Sequence, residues 1–172
     1  ARISPIEFYK LQEIMDKIED KKDALLLILD QINDVRNFGA IIRTAEVSGV
    51  DAIIVQNQSS APINADTVKT SAGGVFNVPI CKVSHIKDAI YHLKSSNITV
   101  IAASEKADKN IYDLSLKKSV AIIMGSEERG ISSSVIKLSD EVVKLPMFGK
   151  IESLNVSVAS GIFLYEVIRQ RI

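Results

Sequence analysis

The chain has 172 residues, 47% of them hydrophobic, which is enough for one well-buried domain and not comfortably two. Lys and Arg balance Asp and Glu at 21 each, so no global field draws the molecule to nucleic acid and any basic patch is local. The single Cys81 excludes a disulfide framework, and nothing resembles a signal peptide or an apolar run of ~18 residues, so a soluble cytoplasmic protein with no membrane contact is expected.

The chain starts at Ala1 rather than Met and is expected to be a piece of something longer. Ser4-Pro5-Ile6-Glu7 is a capping box with Pro at the first helical position, and Leu11, Ile14, Met15 and Ile18 keep helical spacing up to the charged Glu19-Asp20-Lys21-Lys22. This reads as a peripheral or linking helix. Leu25–Leu29 is a continuous apolar run of strand length, suited to a sheet covered on both faces. Ala52–Val55, Ile80–Val83, Ile98–Ala102, Val120–Met124 and Val142–Leu145 are of the same kind. Between the runs lie helical stretches at Phe38–Ser48, Ala65–Ser71, Ile86–Ser95 and Ser132–Leu138. Strands alternating with helices predict one α/β domain with a mainly parallel six-stranded sheet flanked by helices.

Ligands of such sheets gather beyond the carboxyl ends of the strands, and three loops there carry chemistry. The first is Asp30–Arg43. Asn37 suits a helix cap, Phe38, Ile41, Ile42 and Ala45 form the core face, and Arg43 falls off that face beside Glu46. Arg43 is then either a solvated partner of Glu46 or a guanidinium offered to an anion, with Gly39 leaving room for close approach. The second loop is Met124–Ile131, with Gly125 and Gly130 about two carboxylates, Glu127 and Glu128. It matches neither a dinucleotide fingerprint nor a P-loop, and DQINDVRN after the first strand lacks the Gly-rich turn of a dinucleotide enzyme. The third is Leu145–Asn155, after which Val156, Val158, Ile162, Phe163, Leu164, Val167 and Ile168 leave almost no polar face. Ser153 and Asn155 both suit the start of that helix. A helix apolar nearly all round must be covered on several sides, by a central position or by a partner. Cys81 reads as a small residue in or beside a strand, and His85 and His92, without acidic or thiol companions, as surface residues rather than metal ligands.

Together N-F-G-A-I-I-R-T-A-E at 37–46, M-G-S-E-E-R-G at 124–130 and L-P-M…S-L-N-V-S-V-A-S-G at 145–161 resemble the three motifs of the SpoU/TrmH family of the SPOUT superfamily, RNA ribose 2′-O-methyltransferases. The likeness runs from about Leu25 to Arg171, in order and spacing, and is greatest to members that methylate a guanosine of 23S rRNA. It implies a C-terminal deep trefoil knot, a homodimer through the C-terminal helix and knot, and S-adenosyl-L-methionine as cofactor with no metal. The resemblance assigns Gly125, Leu145 and Leu154 to the cofactor pocket, with Met147 and Ile131 as neighbouring additions. Arg43 takes the central catalytic role, with Asn37, Glu127, Ser153 and Asn155 around it. RNA rather than DNA is the implied partner, rRNA first and tRNA as the rival, with a catalytically silent RNA-binding relative as a further alternative. Residues 1–23 then read as a linker helix left from an N-terminal RNA-binding domain, and 24–172 as the methyltransferase domain.

Overall fold

The computed structural model describes residues 6–172. The Ser4-Pro5 part of the expected capping box lies outside them. Residues 6–10 are not helical: the Tyr9 amide donates to the Ile80 carbonyl (2.9 Å) and its carbonyl accepts from Lys82 N (3.3 Å). The open edge of the neighbouring strand thus holds this segment extended. Helix α1 begins only at Leu11 and runs to Ile18. Its Ile14, Met15 and Ile18 are buried in the domain core, so the segment is docked rather than peripheral.

The strands are β1 (Leu25–Asp30), β2 (Ala52–Gln56), β3 (Ile80–Val83), β4 (Thr99–Ala103), β5 (Lys109–Asn110), β6 (Val120–Gly125) and β7 (Glu141–Lys144). They form one sheet in the order β3-β2-β1-β6-β4-β7-β5, with every pairing parallel. Seven strands replace the expected six. The addition, β5, is two polar residues hydrogen-bonded to the outside of β7, too short to leave an apolar pattern.

The central strands are buried on both faces, which is why they read as unbroken apolar runs. Side chains alternate: Leu25, Leu27 and Leu29 face one core, Leu26 and Ile28 the other. The first core is closed by α2 (Val35–Val47) and α6 (Val156–Arg171), through Phe38, Ile41, Ile42 and Ala45 of α2 and Phe163, Leu164 and Val167 of α6. α3 (Ala65–Thr70) packs on α2. The second is closed by α1, α4 (Ile86–Ser95) and α5 (Ser133–Leu138). Cys81 sits in β3 facing this core, and burial, helped by the charge of Glu13, pushes its thiol up to about 11. It is an inert core residue. Among the described residues no helix is long and apolar enough to cross a membrane.

Gly39 has a structural task. A side chain there would collide with α3, the built Cβ lying 2.7 Å from Thr70 Cβ, so the space read as room for an anion is filled by α3. The end of α6 is tied down by polar contacts. Arg171 donates to the carbonyls of Leu116 (3.1 Å), Asp23 (2.7 Å) and Lys118 (2.7 Å). Gln170 accepts from Leu116 N (2.8 Å) and donates to Leu114 O (3.0 Å) and Glu166 Oε1 (2.9 Å).

Candidate active site

The chain moves outward from β1 to β2 and β3, then crosses to β4 on the other side of β6. The crevice at such a switch point is where open α/β sheets bind ligands. Here it lies above β1 and β6, whose last residues, Asp30 and Gly125, are register partners. Buried Asp30 accepts from Ser132 N (2.8 Å) and Ser132 Oγ (3.0 Å), clamping the far end of the 125–131 loop to β1. The loop closes tightly on itself. Gly130 N donates to Ser126 O (2.8 Å), Gly130 has φ +65°, and a Cβ on Gly125 would meet Gly130 O at 2.5 Å. Gly125 is required by this close approach, and glycine at 130 takes the left-handed conformation without strain.

That turn presents Glu127 to the start of α6. Its Oε1 accepts from Asn155 Nδ2 (2.7 Å) and from Val156 N (3.0 Å). A carboxylate at a helix N-terminus satisfies an orphan donor and complements the helix dipole. Asn155 Nδ2 also donates to Asn37 Oδ1 (3.0 Å). Its Oδ1 caps α6 by accepting from Ser157 N (3.0 Å), Val158 N (3.3 Å) and the Ser157 hydroxyl. One asparagine therefore joins all three loops. Ser153, also suited to the helix start, lies before it: the first helical residue is Val156 and the cap is Asn155. Asn37 is likewise no cap. Asp34 caps α2 by accepting from Asn37 N (2.8 Å), which frees the Asn37 side chain for Asn155.

Beside this linkage is a cavity of about 420 Å³, of ordinary small-ligand size. Gly125, Glu127, Leu145, Met147, Ser153, Leu154 and Asn155 all line it. Leu154, Ala159 and Phe163 give apolar wall, while Glu105, Glu127 and Glu152 outnumber Lys144. Excess negative charge with an apolar wall suits a cation carrying a flat aromatic group. Ile131 is not among the lining residues and is buried in the core on the opposite face of the sheet. Arg43 is exposed on α2 and lines neither this cavity nor the second hollow, around Asn37, Glu128 and Arg129, on the other side of Glu127. Among the described residues it forms no ion pair with Glu46, which instead accepts from Asn77 Nδ2 (3.3 Å), nor with Glu127. Asp30, Asp34 and Ser132 are the supporting residues that pattern alone overlooked. A single Asp ending an apolar run was the only available signal for Asp30. Among the described residues no cluster of three or more His, Cys, Asp or Glu is placed to hold a metal ion.

The profile of the SpoU rRNA Methylase family matches residues 24–165. The chain is 37% identical over 172 residues to the 23S rRNA (guanosine-2′-O-)-methyltransferase RlmB of Vibrio vulnificus, covering 100% of this chain and 70% of that protein. It is 36% identical over 171 residues to RlmB of Escherichia coli K12, covering 99% and 70%. Among solved structures it is similar to the SpoU methyltransferase AviRb of Streptomyces viridochromogenes in complex with AdoMet, with TM-score 0.84, 25% identity, and 99% of this chain and 63% of that one covered. The AdoMet-bound rRNA methyltransferase of Sinorhizobium meliloti gives TM-score 0.87, 27% identity and coverage of 96% and 62%. The TrmH/SpoU tRNA modifying enzyme of A. aeolicus gives 0.80, 29%, and 94% and 82%. The present sequence thus spans under two thirds of the first two structural neighbours. With three linked motif loops above a parallel sheet and a profile matching most of its length, this chain belongs to the SpoU rRNA Methylase family.

Proposed function

We propose that this chain catalyses S-adenosylmethionine-dependent methylation of a ribose 2′-hydroxyl in RNA, with a guanosine of 23S rRNA as the target. The observation that carries this reading is Asn155 holding Asn37 and Glu127 together at the rim of the cavity. The acidic, partly apolar lining fits S-adenosylmethionine, which is cationic at sulfur and carries adenine; Gly125, Leu145, Leu154 and Met147 would hold it. When bound, it supplies an electrophilic methyl group for in-line attack by the ribose 2′-oxygen. Arg43, exposed on α2 outside the cavity, holds the RNA phosphate and through it aligns the ribose; the hydroxyl proton leaves to phosphate or water, because a guanidinium hardly deprotonates in proteins. Glu127 and Asn155 fix the start of α6 against cofactor and nucleotide, and Ser153 stands on the same rim.

Relatives at 36–37% identity over nearly the whole of this chain bear a 23S rRNA name, so the rRNA reading is preferred over the tRNA one. A silent RNA-binding role is disfavoured because Asn37, Arg43, Glu127, Ser153 and Asn155 are all present. We read 24–172 as the methyltransferase unit, in keeping with the profile match from residue 24, and 1–23 as linker docked through α1. Two copies pair across α6, whose Val158, Ile162 and Tyr165 form an exposed apolar stripe beside Tyr112. The C-terminal segment is threaded as a knot. In support, the last turn of α6 lies among the carbonyls of Asp23, Leu116 and Lys118. The cytoplasm is the compartment where such a substrate is met.

The test is transfer of tritiated methyl from S-adenosylmethionine to separate rRNA and tRNA transcripts. Label should enter rRNA and survive alkaline hydrolysis as a resistant dinucleotide, since a 2′-O-methyl removes the nucleophile that alkali uses. Label released as mononucleotide, or no incorporation into either RNA, overturns the proposal.

A further inference from the structure

A groove of about 520 Å³ opens on the other side of Glu127, lined among others by Gln31, Asn33, Asn37, Ser59, Glu128 and Arg129. Ser126, Glu127 and Val156 line both this groove and the cofactor cavity. The two hollows therefore share a wall at Glu127, which sets a molecule in the groove next to the contents of the cavity.

The two adjacent carboxylates have divided tasks. Glu127 is committed to Asn155 and Val156. Glu128 and Arg129 are exposed, and among the described residues neither side chain makes a hydrogen bond or ion pair. Asp34, the other acid of the groove, already caps α2. Gln31 (φ 61°) and Ser59 (φ 62°), two non-glycine residues in left-handed conformation, flank the same groove. Loops held in such uncommon conformations are fixed by their surroundings rather than free to drift.

We propose that this groove takes the base of the target nucleotide and that Glu128 selects guanine. An ionised carboxylate is acceptor-only, with two oxygens side by side. On the Watson–Crick edge only guanine offers two adjacent donors, N1–H and the N2 amine. Adenine and cytosine set one amine beside a bare ring nitrogen, and uracil sets one N–H between two carbonyls. A fork from Glu128 thus matches guanine and repels the lone pair that adenine presents. Reading the edge of an unstacked base in a pocket is the usual route to sequence selection on RNA. Arg129, next to Glu128 in the groove lining, can donate to O6 or stack on the base face. The inference rests on the methyltransferase reading and adds the residue that chooses the base.

The test titrates the chain, saturated with the cofactor analogue sinefungin, with GMP, IMP and AMP, following amide shifts of residues 125–131. IMP lacks only the N2 amine. GMP should bind at least ~10-fold tighter than AMP, with IMP between them. In Glu128→Gln the preference should collapse, while S-adenosylmethionine affinity by calorimetry stays unchanged, because Glu128 does not line the cofactor cavity. Equal binding of GMP and AMP by the unmodified chain, retention of the preference in Glu128→Gln, or no saturable GMP binding at millimolar concentration each overturns the assignment. Failure of S-adenosylmethionine to bind at all instead overturns the methyltransferase reading on which it stands.

Discussion

Glu127 Oε1 accepts simultaneously from Asn155 Nδ2 at 2.7 Å and Val156 N at 3.0 Å, so a residue of the second loop is bound to the first turn of α6. The contact does two things. It supplies a helix-terminal donor with a charged acceptor, and it sets the position of Asn155, which in turn holds Asn37.

Glu127→Ala should therefore lower stability by about 1 kcal/mol, below the usual range for charged hydrogen bonds because Glu127 is exposed. It should reduce methyl transfer by ~100-fold, as loss of a positioning group commonly does. Glu127→Gln keeps an acceptor oxygen and should recover most of the stability. Thermal denaturation beside single-turnover methylation separates the effects. Full activity in Glu127→Ala would make the contact a helix cap and nothing more.

Arg43 is exposed and, among the described residues, without a partner, so Arg43→Ala should change stability by less than about 0.5 kcal/mol. If it anchors phosphate and orients the 2′-hydroxyl, turnover falls ~100-fold or more while S-adenosylmethionine affinity holds. Arg43→Lys should rescue little, since an ammonium cannot reproduce the planar fork. Near-normal turnover in Arg43→Ala returns this residue to the solvated surface.

The two apolar neighbours Ile162 and Phe163 face different ways, being 37% and 3% exposed. Phe163→Glu puts a charge into the core and should give misfolded chain. If two copies pair across α6 as proposed, the unmodified chain should sediment as a dimer and Ile162→Glu as a folded monomer. A folded, still dimeric Ile162→Glu moves the interface away from this stripe.

At the end of α6, Arg171→Ala removes a guanidinium that serves three carbonyls and should destabilise by on the order of 2 kcal/mol. Glu166 is buried and forked by Arg169 Nε (2.8 Å) and Nη2 (2.9 Å). Hydrogen bonds from Arg169 above all, with a lesser share from Gln170, hold its carboxyl below the ordinary value of 4.5 despite burial. A depressed carboxyl stabilises the fold above its unfolded pKa, and that contribution disappears as pH falls through the folded value. Unfolding from pH 7 downward should show a stability loss beginning near pH 4.5 that Glu166→Gln lacks. Parallel profiles for the two chains would exclude the linkage.

How much of this was legible depends on whether a feature is local. The apolar runs of β1, β2, β4 and β6 follow from burial on both faces, which leaves its mark residue by residue. The buried set Phe38, Ile41, Ile42 and Ala45 follows from helical spacing, and the three motif loops from residue type and order. Tertiary structure decided the rest. Only pairing to β7 makes a strand of Lys109–Asn110, and only the edge of β3 holds Tyr9 extended where a helix was expected. Gly39 could be read as space, yet which body fills that space depends on α3 arriving there. Asp30 read only as the start of a loop, whereas the fold makes it the last residue of β1 and brings Ser132 to it across 102 residues. Asn155, finally, had the chemistry of a cap by itself. Its second set of partners, Asn37 and Glu127, lies 118 and 28 residues away, and such long-range hydrogen bonds exist only once the sheet has set β1 beside β6.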